Sequence, residues 1–219
     1  MTGRFITFEG PDGAGKTTQM KMLGERLKAL GKKVVYTREP GGTKISEEVR
    51  KLLLDPSNKE MVHRTEALLY AAARAQHVEE LIRPALTEGN IVLCDRFTDS
   101  TLAYQGFGRG INLSMLEELN NLAISGVVPN ITLILDLDSE VGIERISSTR
   151  VLASGVEKDR IELENIDFHL RVREGFRRLA AKEPGRCKIV DAKKDIDTVH
   201  NEIYRLVKEV LINEDSSDF

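Results

Sequence analysis

The run Arg4-Phe5-Ile6-Thr7-Phe8-Glu9 leads without a spacer into Gly10-Pro11-Asp12-Gly13-Ala14-Gly15-Lys16-Thr17. The first six residues read as a short buried strand, and the next eight fill the spacing Gly-x-x-x-x-Gly-Lys-Thr completely. In that spacing the glycines let the chain curl until successive backbone N–H groups converge on an anion. Lys16 then reaches the outer phosphates, and the Thr17 hydroxyl is placed to meet Mg²⁺. A helix opening at Lys16 turns the positive end of its dipole toward the same anion. Residues 10–17 are therefore candidates for holding a nucleoside triphosphate, with Lys16 acting on the phosphates and Thr17 on the metal.

Working outward, the chain alternates short apolar runs with helical patterns. Phe5 to Phe8, Val34 to Tyr36, Ile91 to Cys94, Ile131 to Leu135 and Lys188 to Val190 are brief and mostly β-branched, as buried parallel strands are. Thr17 to Leu30 places Met20, Leu23, Leu27 and Leu30 at helical spacing and stops at Gly31, which suits a helix C-terminus. Further helices are predicted over Thr65 to Glu88, bent or restarted at Pro84, and over Leu113 to Ile124, Ser139 to Arg150, Ile161 to Lys182 and Thr198 to Ile212. Val151 to Lys158 has no periodicity and reads as a mobile loop, and the acidic, Ser-rich end from Asn213 to Phe219 as a frayed tail. The alternation implies an α/β fold: a parallel sheet covered on both faces, with ligands at the carboxyl ends of its strands.

At 219 residues the chain fits one domain, taken as 1–212 ahead of the tail. A net charge of -3 provides no broad basic surface, so no nucleic-acid polymer is expected as a partner and any phosphate must meet local arginines. Cys94 and Cys187 lie in strand-like runs and read as reduced core thiols, which suits a cytoplasmic protein. The N-terminus enters a strand at once and no apolar run approaches membrane-spanning length, so neither secretion nor a membrane partner is expected.

Polar residues at the strand ends narrow the chemistry. Thr37-Arg38-Glu39-Pro40-Gly41-Gly42-Thr43 is a rigid turn in which Pro40 can follow a cis bond. Asp95, closing an apolar strand beside the phosphate loop, is a candidate Mg²⁺ ligand with Thr17, and Arg96 can fork onto phosphate oxygens. Tyr70 and Arg74 stand one turn apart on a helix, where a base can stack on the ring and bond the guanidinium; the same spacing is also frequent in ordinary amphipathic helices.

These marks together resemble the thymidylate kinase family along essentially the whole chain. The resemblance rests on Phe8 to Thr18, Thr-Arg-Glu-Pro-Gly-Gly-Thr at 37 to 43, the Arg50-Lys51-Leu52-Leu53 helix, and Tyr70 with Arg74. It rests also on Asp95-Arg96-Phe97 leading into Ser-Thr-Leu-Ala-Tyr-Gln-Gly at 100 to 106, Asp159-Arg160-Ile161-Glu162, and Ile189 to Ala192. It implies a parallel five-stranded sheet with a lid at about 148–162, a homodimer, ATP as co-substrate with Mg²⁺, and transfer of a phosphoryl group to dTMP. On matching positions it implies dTMP contacts from Arg50, Tyr70, Arg74, Arg96, Ser100, Tyr104 and Gln105, with Tyr104 excluding a 2′-hydroxyl. Asp12 is implied to lie near the sugar 3′-hydroxyl and the reacting phosphates, and Arg145 near adenine. The phosphate loop carries no basic residue before Lys16, so the arginine that neutralises the transferred group is expected from the lid: Arg150 first, with Lys158 and Arg160 as rivals. Asp12, Lys16, Arg96 and Arg150 form the expected catalytic set.

Other readings of the same loop fit less well. A kinase for another nucleoside monophosphate is the nearest, and a substrate panel separates it. A guanine-nucleotide switch needs Asn-Lys-x-Asp, whereas Asn58-Lys59-Glu60-Met61 lacks the final aspartate. A strand-binding motor needs a basic stripe with interleaved aromatics, which the sequence does not offer.

Overall fold

Five parallel strands carry the molecule: β1 (Arg4–Glu9), β2 (Val34–Arg38), β3 (Ile91–Asp95), β4 (Ile131–Asp136) and β5 (Cys187–Asp191), in the order β2-β3-β1-β4-β5. The structure is a computed structural model that describes the backbone of residues 2–152 and 159–212 and the side chains of 2–148 and 159–211. All of the pairings are parallel, and Phe8 stands opposite Asp95 on one side and Leu133 on the other. Each strand runs a residue or two past its apolar run. Arg38, Asp95, Asp136 and Asp191 still belong to the ladder, because backbone pairing continues after the side chains turn polar.

Helices α1 (Lys16–Ala29), α2 (Lys44–Leu54), α3 (His63–His77), α4 (Arg83–Thr87), α5 (Thr98–Thr101), α6 (Leu113–Ile124), α7 (Ser139–Leu152), α8 (Ile166–Lys182) and α9 (Ile196–Ile212) cover the sheet. The alternation along β1 divides them. Ile6 and Phe8 pack with Leu23 and Leu27 of α1 and Ile203 and Val207 of α9, whereas Phe5 packs on the other face with Val78, Ile82 and Phe97. A third apolar cluster joins Ile134 to Tyr104, Phe168, Val172 and Phe176, so α8 closes that face. Cys94 and Cys187 are buried and free. Among the described residues no helix is long and apolar enough to cross a membrane.

Helix limits differ from the sequence expectation in several places: α3 and α9 each begin two residues early, at His63 and Ile196, and three further differences are larger or have a local cause. The long helix around Pro84 continues through a π-helical turn, Val78–Ile82, and Pro84 then sits in the first turn of α4. Proline lacks an N–H and crowds the carbonyl four residues earlier, and the wider turn accommodates both. Helix α8 begins at Ile166 rather than Ile161, because the Asn165 side chain accepts from Phe168 N and caps it there. Helix α7 continues to Leu152, two residues into the stretch read as a loop, and the remaining six residues of that stretch lie outside those described.

Candidate active site

The loop between β1 and α1 is shaped by close backbone approaches. Gly10 (φ 125°) runs against β4, where an added Cβ would stand 2.3 Å from Leu135 O; Gly13 (φ 76°) runs against the start of α7, 2.3 Å from Gly142 O. No side chain fits either place. Lys16 folds back over this loop, donating from Nζ to Pro11 O (2.8 Å) and Gly10 O (3.2 Å). Burial and the neighbouring Arg96 push its ammonium down to about 8. Thr17 Oγ1 donates to Asp95 Oδ2 at 2.7 Å, which brings the two expected metal ligands together. A hydroxyl and a carboxylate are hard oxygen donors, and so small a protein contribution suits Mg²⁺, which keeps waters and takes phosphate oxygens. Gly13, Ala14, Gly15, Lys16, Thr17, Asp95 and Arg145 line one cavity, together with Ile196 and Val199. Gly10 and Pro11 are not part of this lining; their carbonyls accept from Lys16.

A second cavity lies beyond the loop. Arg50 of α2, Tyr70 and Arg74 of α3, and Ser100, Tyr104 and Gln105 line it, so the expected dTMP residues converge there from separate segments. Tyr104 and Gln105 belong to a π-helical stretch, Leu102–Gly108, which continues α5. Arg50 Nη1 donates to Pro40 O (2.9 Å), just after the cis Glu39-Pro40 bond.

Asp12 and Arg96 belong to both cavities. Arg96 Nη2 donates to Asp12 Oδ1 (2.5 Å), Arg96 Nη1 to Ser100 Oγ (3.1 Å), and Tyr104 Oη to Asp12 Oδ2 (2.8 Å). Burial opposes ionisation of Asp12, but the charges of Arg96 and Lys16 and these hydrogen bonds hold its carboxyl down at about 2. Arg96 has φ 71°, a left-handed conformation that is unfavourable for a residue with a Cβ and persists only where its surroundings enforce it. Glu9 is that enforcement. Its Oε1 accepts from Phe97 N (2.7 Å) and Ser100 N (3.2 Å), and its Oε2 from Ser100 Oγ (2.5 Å).

Arg74 is more deeply built in than helical spacing suggests. Its side chain is 1% exposed, and its guanidinium donates to Glu39 Oε2 (2.7 Å), Thr101 Oγ1 (3.0 Å), Asn120 Oδ1 (2.7 Å) and Phe97 O (3.0 Å). Four of its five N–H groups are thereby engaged. The Arg150 and Lys158 side chains lie outside the described residues. Arg160 lies apart from the loop cavity: its Nε donates to Leu53 O (3.0 Å) and its Nη1 pairs with Glu66 (2.6 Å). Glu9, Glu39, Glu66 and Asp159 are the site residues that the sequence reading did not assign, although Glu66 stands one turn before Tyr70 and Asp159 lines the second cavity.

The thymidylate kinase family model matches residues 8–203. Thymidylate kinase of Pelotomaculum thermopropionicum is 54% identical over 211 residues, covering 96% of this chain and 95% of its own; that of Bacillus licheniformis is 47% identical and covers 96% and 98%. A crystal structure of thymidylate kinase from Ehrlichia chaffeensis superposes with a TM-score of 0.76 at 39% identity, covering 95% of this chain and 99% of that one.

Proposed function

The chain belongs to the thymidylate kinase family, and from that premise we propose how its two cavities divide the work. The reaction is phosphorylation of dTMP to dTDP with ATP as co-substrate. The loop cavity takes ATP and the second cavity takes dTMP. One observation carries this assignment: Asp12 and Arg96 line both, so the γ-phosphoryl group and the acceptor 5′-phosphate meet at that shared wall. The acceptor phosphate is already anionic at neutral pH, so the protein's task is positioning and charge neutralisation rather than proton abstraction. Lys16 exchanges the Gly10 and Pro11 carbonyls for phosphate oxygens. Arg96 forks toward the acceptor phosphate, with Asp12 and Ser100 fixing its direction. Thr17 and Asp95 hold Mg²⁺, which supplies charge neutralisation to the triphosphate when bound.

Tyr70 stacks on thymine, Arg74 and Gln105 meet its polar edge, and Arg50 contributes to the acceptor phosphate. Arg145, which reaches the loop at Gly13 O (3.5 Å), borders the ATP base. We assign the remaining neutralising charge to Arg150, on a lid spanning about 148–162 of one domain that runs from 1 to 212. Two facts favour it over Arg160: α7 carries Arg150 on the helix that also bears Arg145, and Arg160 is tethered to Glu66 and Leu53. Single-turnover measurements test this. Arg150→Ala is expected to slow the chemical step by about 10²-fold or more with little change in nucleotide affinity, and Arg160→Ala is not. The reverse order removes the assignment.

A homodimer and a cytoplasmic location complete the reading. Ile45 and Leu52 of α2, Leu68 of α3, and Met115 and Leu122 of α6 are each more than half exposed; the pairs seven residues apart fall on one helical stripe. The buried free thiols accord with a reducing compartment. Light scattering checks the dimer, and Leu122→Glu, at the most exposed of these residues, is expected to shift it toward monomer. The substrate reading is tested by ADP release across deoxy- and ribonucleoside monophosphates, with dTMP preferred.

A further inference from the structure

Glu66 of α3 has no exposed side-chain surface. Its Oε1 accepts from Gln105 Nε2 (2.9 Å) and Arg109 Nε (3.2 Å), and its Oε2 from Arg109 Nη2 (3.2 Å) and Arg160 Nη1 (2.6 Å). Burial by itself raises a carboxyl pKa, but here the hydrogen bonds from Arg109 and Gln105 and the two guanidinium charges outweigh it, and the group sits below its ordinary value. Glu66 is thus an ionised, acceptor-only neighbour.

Such a neighbour can bind only the nitrogen end of a primary amide. The Gln105 side chain, 2% exposed as a residue and lining the acceptor cavity with Tyr70 and Arg74, therefore turns its NH₂ toward Glu66. Its carbonyl Oε1, which accepts from no described residue, is the end left for a ligand. A base with a proton at N3, as in thymine or uracil, can donate to that oxygen; cytosine presents a bare N3 and is repelled. We propose that Glu66, without touching the substrate, is a positioning residue that selects an N3-protonated pyrimidine by fixing the direction of the Gln105 amide. The proposal rests on the reading of this cavity as the acceptor-base site.

The test compares the KM for dTMP with the inhibition constant of dCMP in the wild type, in Glu66→Gln, and in Glu66→Gln combined with Arg160→Gln. In Glu66→Gln, Arg109 Nη2 and Arg160 Nη1 hold the new carbonyl oxygen, the new NH₂ takes the Oε1 position at the cost of the Arg109 Nε bond and faces Gln105, and Gln105 turns over to accept from it. Its own NH₂ then faces the ligand. The preference for dTMP over dCMP is expected to fall about tenfold or more, the cost of one mispaired buried polar group, while the KM for ATP stays within about twofold. The double variant removes one of the guanidiniums that lose their anion, so the ratio can be read even if the single variant does not fold. An unchanged ratio in a folded variant, or equal weakening toward dTMP and ATP, overturns the proposal. Gln105→Leu separates the premise: if the wild type shows no preference for dTMP over dCMP, or Gln105→Leu leaves it intact, the reading of the cavity fails instead.

Discussion

The loop cavity and the acceptor cavity share Asp12 and Arg96, yet they are built from different material. One is centred on a single loop, residues 10–17, whose glycines Gly10, Gly13 and Gly15 all run at positive φ, with Asp95, Arg145, Ile196 and Val199 completing its lining. The other is side chains from α2, α3, the Leu102–Gly108 turn and the segment at 159–161, held by buried ion pairs at Arg74–Glu39 and at Glu66 with Arg109 and Arg160. A phosphate is bound by converging N–H groups, which a turn supplies by itself. A base edge needs directional polar groups, and buried polar groups need partners of their own. On the proposed reading the base site is part of the core's polar framework, whereas the phosphate loop takes its shape from its own backbone.

Arg74→Ala tests that difference most strongly. Removing one partner of a buried ion pair strands the other, so the fold is expected to lose about 3–5 kcal/mol, read as a lowered urea midpoint. An unchanged midpoint with selective loss of dTMP use would make Arg74 a ligand contact alone and collapse the distinction. Lys16→Ala is the counterpart on the loop side. Turnover is expected to fall about 10²–10³-fold, while the melting temperature holds or rises, because Lys16 is a buried ammonium whose burial already pushes it down to about 8. A folded variant with near-wild-type turnover would remove the loop from the chemistry.

Tyr70→Ala should weaken dTMP by about 1–3 kcal/mol, the range for base stacking on an aromatic, and leave ATP nearly untouched. Tyr70→Phe keeps the stacking face and should be mild. Equal effects on both substrates would mean that the cavities are not independent. The smallest expected effect concerns the shared wall. Burial and Asp99 push the Glu9 carboxyl up to about 8 from an ordinary 4.5. A carboxyl with a raised folded-state pKa binds its proton more tightly when folded, so its stabilising contribution is present below about 4.5 and is lost as pH rises toward 8. Stability should therefore decline between pH 5 and 8, with a flatter decline in Glu9→Gln. Asp12 acts in the opposite sense, but between its ordinary 3.8 and about 2, below that range. Identical slopes in wild type and Glu9→Gln would discard the Glu9 assignment.

The five strands and the placement of the phosphate loop were legible because period and turn chemistry are local: the β-branched runs, the Gly13 turn and the Gly31 stop each act within a few residues. Tyr70 and Arg74 were legible as a pair because a helix brings i and i+4 together. The depth of Arg74 was not, since nothing near it in sequence shows that Glu39, Phe97, Thr101 and Asn120 arrive from four directions. Glu9 read as the end of a strand, and its grip on Phe97 and Ser100 appears only once β3 lies beside β1.

By itself, then, the sequence determined the strand-loop-helix unit of residues 4–29, the α/β alternation around it, and the residue types available at the strand ends. The tertiary structure alone decided that Asp12 and Arg96 form one wall between two cavities, that Arg96 is held at φ 71° by a buried carboxyl group, and that Glu66 faces the Gln105 amide. The physical reason is range. Backbone conformation and helical spacing are set by neighbours in the chain, whereas the direction of a buried amide or guanidinium is set by partners that only the packed sheet and its helices bring within about 3 Å.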